Sequence, residues 1–336
     1  MRRRIFAAAA CLALLLSCAG CGSVPEAKTT VYAMDTVMTL TAYGDGAVDA
    51  LKVGEAELHR LDDLLCRHEK ESALSLLNRE GYLVNGEIAG ILARAKDLSA
   101  LTDGAFDPTL APVLEAWGFG TENPRVPGEA ELRELLSRTG AERIALDGDE
   151  ITLEEGTEID LGGIAKGWAG DDLKKLFAAA GVSGATIDLG GDVCVMGKKP
   201  DGNPWRIALK DPADSENYLG ILSATDTFIV TSGVYERFFE EGGVHYHHIL
   251  DPETGASARS GLVSATVVCS DGAAADALST ALFVLGEERA LSLYKEESGL
   301  FEMILVTEDG RVLYTPGLAG SFEPNGESEY TYEELS

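Results

Sequence analysis

Five stretches of this sequence combine residue types that bind ions or move protons. In Asp160-Leu161-Gly162-Gly163-Ile164-Ala165-Lys166-Gly167 a glycine pair precedes a run with helical periodicity. Glycines at a helix entrance let the backbone approach a ligand and aim amide groups at an anion, with Lys166 as a counter-charge. A tight strand-to-helix connection with a solvated lysine would use the same residues. Asp188-Leu189-Gly190-Gly191-Asp192 repeats the theme at a strand end, and Gly104-Ala105-Phe106-Asp107-Pro108 is a further turn of this kind. In Asp276-Ala277-Leu278-Ser279-Thr280, helical spacing sets Asp276, Ser279 and Thr280 on one side. One carboxylate with two hydroxyls is a hard-oxygen set suited to magnesium beside a substrate phosphate; the alternative is an ordinary polar helix face. Last, His245, His247 and His248 lie in a strand-like run that ends in Asp251-Pro252. In a strand, His245 and His247 face one side and His248 the other. No further ligand has zinc spacing, so a single histidine in acid–base or orienting service, or one held by backbone groups, is expected.

The elements that must position these residues follow from periodicity. Val, Thr, Tyr and Met dominate Thr30–Tyr43, which predicts a strand or hairpin. Val48, Leu51, Leu58, Leu61 and Leu65 recur at helical spacing, and Ile88, Ile91, Leu92, Ala95 and Leu98 do so again. Asp147-Gly148-Asp149 between two apolar runs predicts a hairpin, and Gly181 a left-handed cap on a helix over 165–180. Strands are predicted at 185–189, 205–209, 228–231, 245–250, 262–269, 301–306 and 311–314, with helix over 271–285 and again over 287–297. Strands and helices mix without strict alternation. The expected fold is therefore α+β or mixed α/β, a layered domain with mixed sheets and flanking helices, rather than a doubly wound parallel sheet. No nucleophile-elbow, zincin, Rossmann or P-loop signature occurs.

The chain has 336 residues, 45% of them hydrophobic and 25% charged, which argues against a disordered, collagen-like or multi-span membrane protein. Its 56 acidic and 27 basic residues give a net charge of −29. That sign counts against nucleic acid and means that a phosphate-bearing ligand needs a local remedy such as a bound cation. Arg2 to Arg4, the apolar run Ile5 to Leu16 and the small residues after it predict a secretory leader over 1–20. The run LLSCAGCGS resembles a bacterial lipobox, with Cys21 favoured over Cys18 as the lipidated residue. The expected organisation is a lipidated tether over 21–29, a domain over 30–320 and an acidic mobile tail over 321–336, on the extracytoplasmic face of the bacterial cell membrane. Cys66, Cys194 and Cys269 are too few and too widely spaced for a disulfide framework, so the core must hold the domain.

Taken in order, these segments resemble the FAD:protein FMN transferase family, the ApbE family of flavin-trafficking lipoproteins. The resemblance runs from about Tyr32 to Thr315. It rests on Met34-Asp35-Thr36, Gly104 to Leu110, Asp160 to Gly167, Gly190 to Val193, Thr231-Ser232-Gly233, Tyr235-Glu236-Arg237, His247 to Gly255 and Ala275 to Gly286. It implies a mixed α/β domain that binds FAD, uses magnesium and transfers FMN to a threonine of a partner, an acceptor subunit of a membrane or extracytoplasmic redox protein, releasing AMP. Implied flavin contacts are Met34, Ala105, Phe106, Asp107, Asp160, Lys166 and Leu250. His68 stands where the family often has an aromatic residue that stacks on the flavin. Implied magnesium ligands are Asp276 and Thr280, with Ser279 and the backbone of Gly163 beside them. His248 or a nearby aspartate such as Asp251 would take the threonine proton. Three other readings share these features: an FAD pyrophosphatase that uses water, an exported redox flavoprotein with no need of a metal, and a solute-binding lipoprotein. Ser183-Gly184-Ala185-Thr186 matches the Ser/Thr-Gly-Ala-Thr core that such transferases modify, but it reads as a buried strand, with Ala180 where the target motif has an aspartate.

Overall fold

The computed structural model describes residues 24–336. In chain order its elements begin with β1 (Glu26–Ala33), β2 (Thr36–Tyr43), α1 (Ala47–Leu65), α2 (Ala73–Glu80), β3 (Tyr82–Val84), α3 (Gly86–Leu101), α4 (Ala111–Trp117) and α5 (Glu129–Leu136). Next come β4 (Ile144–Asp147), β5 (Glu150–Leu153), α6 (Ala165–Ala179), β6 (Gly184–Asp188), β7 (Val193–Gly197), β8 (Trp205–Lys210) and β9 (Tyr218–Ala224). Then follow β10 (Thr227–Gly233), β11 (Phe238–Glu241), β12 (Val244–His247), β13 (Leu262–Cys269) and α7 (Gly272–Glu296). Last are β14 (Glu302–Thr307), β15 (Arg311–Tyr314), β16 (Phe322–Pro324) and β17 (Thr331–Glu334).

Nine strands form one sheet in the order β1-β2-β6-β7-β10-β13-β14-β15-β17. Every pairing in it is antiparallel except β15 with β17. The helices α1, α6 and α7 pack with this sheet around a core that includes Leu40, Leu58, Phe177, Ala265, Leu278 and Phe283. A second cluster joins Val195, Ile229 and Ile304 of the large sheet to Trp205, Leu222 and Phe322 of the three-stranded sheet β16-β9-β8. The result is the mixed α/β layering expected from the unordered mixture of elements. Helix starts follow capping chemistry: the Ser72, Asn85 and Asp271 side chains accept from amides of the first turns of α2, α3 and α7. The break expected after Leu285 is a left-handed Gly286 (φ 73°) that interrupts α7. The 245–250 run is shorter as a strand than expected, ending at His247, because the chain leaves it for the turn at Asp251.

Two boundaries differ from expectation. Residues 26–29 of the expected tether belong to β1, where they pair with Leu40 to Tyr43 of β2. Residues 321–336 are not a mobile tail. Phe322 is buried, β17 extends the large sheet, Tyr330 donates its hydroxyl to Asp211 at 2.8 Å, and Tyr332 donates to the Leu219 carbonyl at 2.6 Å. Three aromatic side chains outweigh the acidic composition that suggested disorder. The leader, Cys18 and Cys21 lie outside the described residues.

Candidate active site

A cleft of about 330 Å³ opens where loops from both halves of the chain converge. Met34 and Asp35, the turn between β1 and β2, form one lip; Arg67 and His68 after α1 form another. The Ala105–Asp107 and Asp160–Lys166 loops, Ser232 on β10, and Asp276 and Thr280 on α7 supply the walls and floor. Of the residues expected in a site, Met34, His68, Ala105, Phe106, Asp107, Asp160, Gly163, Lys166, His248, Leu250, Asp276 and Thr280 all line this one cleft.

Small residues bring the floor together. A Cβ on Gly167 would lie 2.0 Å from the Gly272 carbonyl oxygen and 2.8 Å from Asp276 Cβ, so α6 and α7 meet more closely than side chains would permit. Asp276 is thereby carried to the α6 N-terminus, where its Oδ2 accepts from the Gly167 amide at 2.9 Å. In return Asp171 of α6 accepts from the Gly272 and Ala273 amides that open α7. The two helix entrances cap each other, and the carboxylate at their junction faces the cleft.

Lys166 does not wait as a free counter-charge. Its Nζ lies 2.8 Å from Asp192 Oδ2. Burial works against the ammonium, but the charges of Asp192, Asp276 and Glu236 more than offset it and hold its pKa up. Burial in turn raises Asp192, against the pull of Lys166. Asp276 is pushed up to about 7, first by burial and then by the Asp192 charge, with Lys166 and the Gly167 amide opposing. Burial raises Glu236 as well. With all groups charged, the three carboxylates outnumber the Lys166 ammonium and the Arg237 guanidinium beside Glu236, so the floor carries an excess of negative charge.

Hydroxyl bookkeeping gives a second, independent fit to a cation. Ser279 Oγ donates to the Asp276 carbonyl at 2.8 Å. With its one proton on that carbonyl, Ser279 accepts from Ser232 Oγ, 2.8 Å away, and Ser232 then accepts from Thr280 Oγ1 at 3.3 Å. In this arrangement all three protons are committed within the protein. Thr280 Oγ1 therefore has only lone pairs to offer the cleft, which suits a metal ion and not a phosphate oxygen. Ser279 itself is fully buried and does not line the cleft; its hydroxyl reaches Thr280 through Ser232, from behind.

The three histidines have separate environments. His248 lines the cleft and its Nδ1–H donates to the Arg237 carbonyl at 3.3 Å, which leaves Nε2 as an acceptor. Burial, then the charge of Arg237, brings its pKa down to about 4, so it is neutral at pH 7. His247 is a core residue: its Nε2 bonds the Ala258 carbonyl at 3.1 Å, and burial lowers it to about 4. His245 bonds the Val234 carbonyl at 3.0 Å. Asp251, expected as a catalytic aspartate, is outside the cleft lining. Its carboxylate accepts from the Glu253 amide at 2.8 Å and the Thr254 hydroxyl at 3.0 Å, which makes it a turn-forming residue. Asp160 is engaged too, with Arg67 Nε at 2.7 Å and the Gly162 amide at 2.8 Å.

The model of the ApbE family matches residues 34–305, a span that contains the whole cleft. The chain belongs to the ApbE family. It is 33% identical over 326 residues to the FAD:protein FMN transferase of Vibrio cholerae, covering 93% of this chain and 97% of that one. The Treponema pallidum protein of the same name is 30% identical over 90% of each chain. Among solved ApbE structures, that of Thermotoga maritima superposes with a TM-score of 0.79 at 32% identity, covering 90% of this chain and 97% of that one. The apo Pseudomonas stutzeri flavinyl transferase ApbE gives 0.76 at 30% identity, with 87% and 94% covered.

Four residues of the ApbE cleft had no expected role. Asp192, Ser232 and Glu236 sit in motifs that mark the resemblance, yet nothing in a linear motif says that Asp192 reaches Lys166 or that Ser232 touches α7. Arg67 gave no signal beyond its position next to His68.

Proposed function

We propose that this chain transfers the FMN half of FAD to a threonine hydroxyl of a partner protein, with magnesium, and releases AMP. Relatives that match nearly its whole length make it an FAD:protein FMN transferase; the threonine and the metal are the finer content of the proposal. The observation that carries it is the floor of the cleft, where an excess of carboxylate meets a threonine oxygen with only lone pairs to give. Asp276 and Thr280 would hold the ion, and the Gly163 backbone lies beside them, since a Cβ there would stand 3.7 Å from Thr280 Oγ1. When bound, magnesium neutralises charge on the pyrophosphate, worth several kcal/mol in the transition state.

The threonine oxygen attacks the phosphorus of the FMN half, and the bond from that phosphorus to the bridging oxygen breaks. AMP departs with that oxygen. His248 Nε2 takes the threonine proton, for roughly 10² to 10⁴ in rate. A neutral imidazole in the free enzyme gains basicity when the anionic pyrophosphate lies next to it. Met34, Ala105, Phe106, Asp107, Asp160, Leu250 and His68 would hold the flavin and its phosphates in line with the incoming hydroxyl. The proposal also places the domain on the extracytoplasmic face of the membrane, anchored by lipid at Cys21, where acceptor subunits of redox proteins would present their threonines.

Incubation with FAD, magnesium and a soluble acceptor carrying the Ser/Thr-Gly-Ala-Thr core tests this by mass spectrometry. The expected products are AMP and an acceptor heavier by FMN after denaturation. Free FMN and AMP with an unmodified acceptor would make the enzyme a pyrophosphatase. Intact FAD beside a competent acceptor would refute the transferase.

A further inference from the structure

Among the described residues the strand β1 ends the nine-stranded sheet and pairs only with β2. The two are joined by Met34 and Asp35, with φ of 50° and 58°. This is a two-residue hairpin in a geometry usually given to Asn-Gly or Asp-Gly, occupied here by Asp35, which tolerates left-handed φ, and by Met34, for which it is uncommon. Such local strain concentrates at functional positions, and this turn is a lip of the cleft.

In a two-residue hairpin the closing pair, Ala33 and Thr36, exchanges hydrogen bonds, and the alternation runs outward from there. The Gly44 amide bonded to the Pro25 carbonyl at 2.9 Å confirms the parity at the far end. Val31, Thr29 and Ala27 therefore spend their backbone groups on β2, whereas Tyr32, Thr30 and Lys28 point theirs away from the sheet. Among the described residues none of these three has a backbone hydrogen bond on that side. All three side chains are exposed, Tyr32 by 66%, and its cross-strand neighbour Val37 is exposed by 59%. An open edge of about 14 Å, flanked by an exposed tyrosine–valine pair, thus leads directly to the cleft.

We propose that this edge, Lys28 to Tyr32, docks the threonine-bearing segment of the acceptor, which adds to the sheet as a tenth strand. The inference rests on the transferase reading. A hydroxyl must reach a phosphorus recessed behind loops, which an extended segment can do and a folded surface cannot. Backbone pairing holds such a segment without demanding particular side chains, so one enzyme can serve several acceptors. Two residues beyond Tyr32 the template ends at Met34, and a strand laid along it runs on into the cleft. The other hairpin beside the cleft, β11 with β12, is a poorer template. It has four residues per strand and no larger sheet behind it, and its β12 edge is already engaged by Ser257 and Arg259.

The test uses the full domain with FAD and a soluble acceptor carrying a Ser-Gly-Ala-Thr core. Thr30→Pro removes an outward amide at an edge position where proline leaves the β1–β2 ladder intact. It is expected to lower kcat/KM for the acceptor at least tenfold, with FAD affinity unchanged. Tyr32→Ala, at an exposed position that cannot upset the core, is expected to raise the acceptor KM several-fold and decides the matter if Thr30→Pro misfolds. Unchanged acceptor kinetics in both variants would overturn the proposal, as would loss of labelling in Glu240→Pro on β11 instead. Independently of transfer, an acceptor whose threonine is changed to alanine should slow amide exchange at Lys28, Thr30 and Tyr32. Acceptor binding without that protection, or the same protection from a second copy of the enzyme with no acceptor, would refute the dock. A wild-type enzyme that protects these amides yet labels no threonine would refute the transferase reading alone.

Discussion

Removal of the Ser232 hydroxyl is the sharpest test of how Thr280 is prepared for a cation. In Ser232→Ala the proton of Thr280 loses its acceptor, 3.3 Å away, and is free to swing into the cleft, where it opposes a positive ion. Ser279 keeps its own bond to the Asp276 carbonyl, so the helix is not disturbed. The loss is one neutral hydrogen bond, about 0.5–1.5 kcal/mol, which converts to roughly a 2- to 13-fold weaker magnesium affinity. Asp276→Ala removes the carboxylate of the proposed metal site and should abolish magnesium-dependent turnover. Calorimetric titration of magnesium in the presence of FAD reads both variants, and Ser232→Thr, which restores a hydroxyl on a strand that favours β-branched residues, should recover wild-type affinity. Wild-type magnesium binding by Ser232→Ala would show that the chain of protons does not matter. A failure of Ser232→Thr to restore binding would show that shape, and not the hydroxyl, was at stake.

Because Asp276 is pushed up to about 7, magnesium must displace its proton below that pH; the apparent Kd should rise about tenfold per pH unit below 7 and level off above it, as read by titrations from pH 5 to 9. The same group binds a proton in the folded state that the unfolded chain has already lost above pH 3.8, so on its account the metal-free domain loses stability as pH rises toward 7, and EDTA-treated melts should show magnesium restoring more at pH 8 than at pH 5. Truncation after Leu318 should destabilise the fold by about 3 kcal/mol or more, since it empties the site of buried Phe322; an unchanged melting temperature would contradict the integration of β16 and β17. Cys21→Ser should move the protein out of the membrane fraction, and release by Cys18→Ser instead would reassign the lipidated residue.

Much of this molecule is legible from sequence because its local signals agree with its tertiary context. The 165–180 helix, the hairpin at Gly148 and the break after Leu285 each have a capping residue, a turn glycine or a period that acts within a few residues. The cleft lining was legible for a different reason: glycine- and aspartate-rich turns collect at element ends, and the fold gathers those ends on one side. Asp251 and Ser279 show the limit. Both carry the right atoms at the right spacing, but whether a side chain faces a cleft or its own turn depends on partners far away, such as Ser232, 47 positions from Ser279. The 321–336 segment failed for the opposite reason, since its composition is acidic while Phe322, Tyr330 and Tyr332 each have a waiting partner that no local window contains.

Charge also governs what the lysine of the glycine-rich loop can do. A net charge of −29 suggested that a phosphate ligand would need local help, and Lys166 stood in a natural place to give it. Folding instead surrounds that ammonium with Asp192, Asp276 and Glu236, so its charge is spent before any ligand arrives. A site arranged in this way repels an anionic dinucleotide by itself and attracts a divalent cation. On the proposed reading, Asp276 and Thr280 would hold a cation whose charge would offset theirs and favour the pyrophosphate beside His248. Metal and dinucleotide would then strengthen each other's binding by the same factor, because each would supply the charge that the other lacks. On that reading the carboxylates of the floor would make the affinity for FAD depend on magnesium, and FAD titrations with and without the ion measure that dependence.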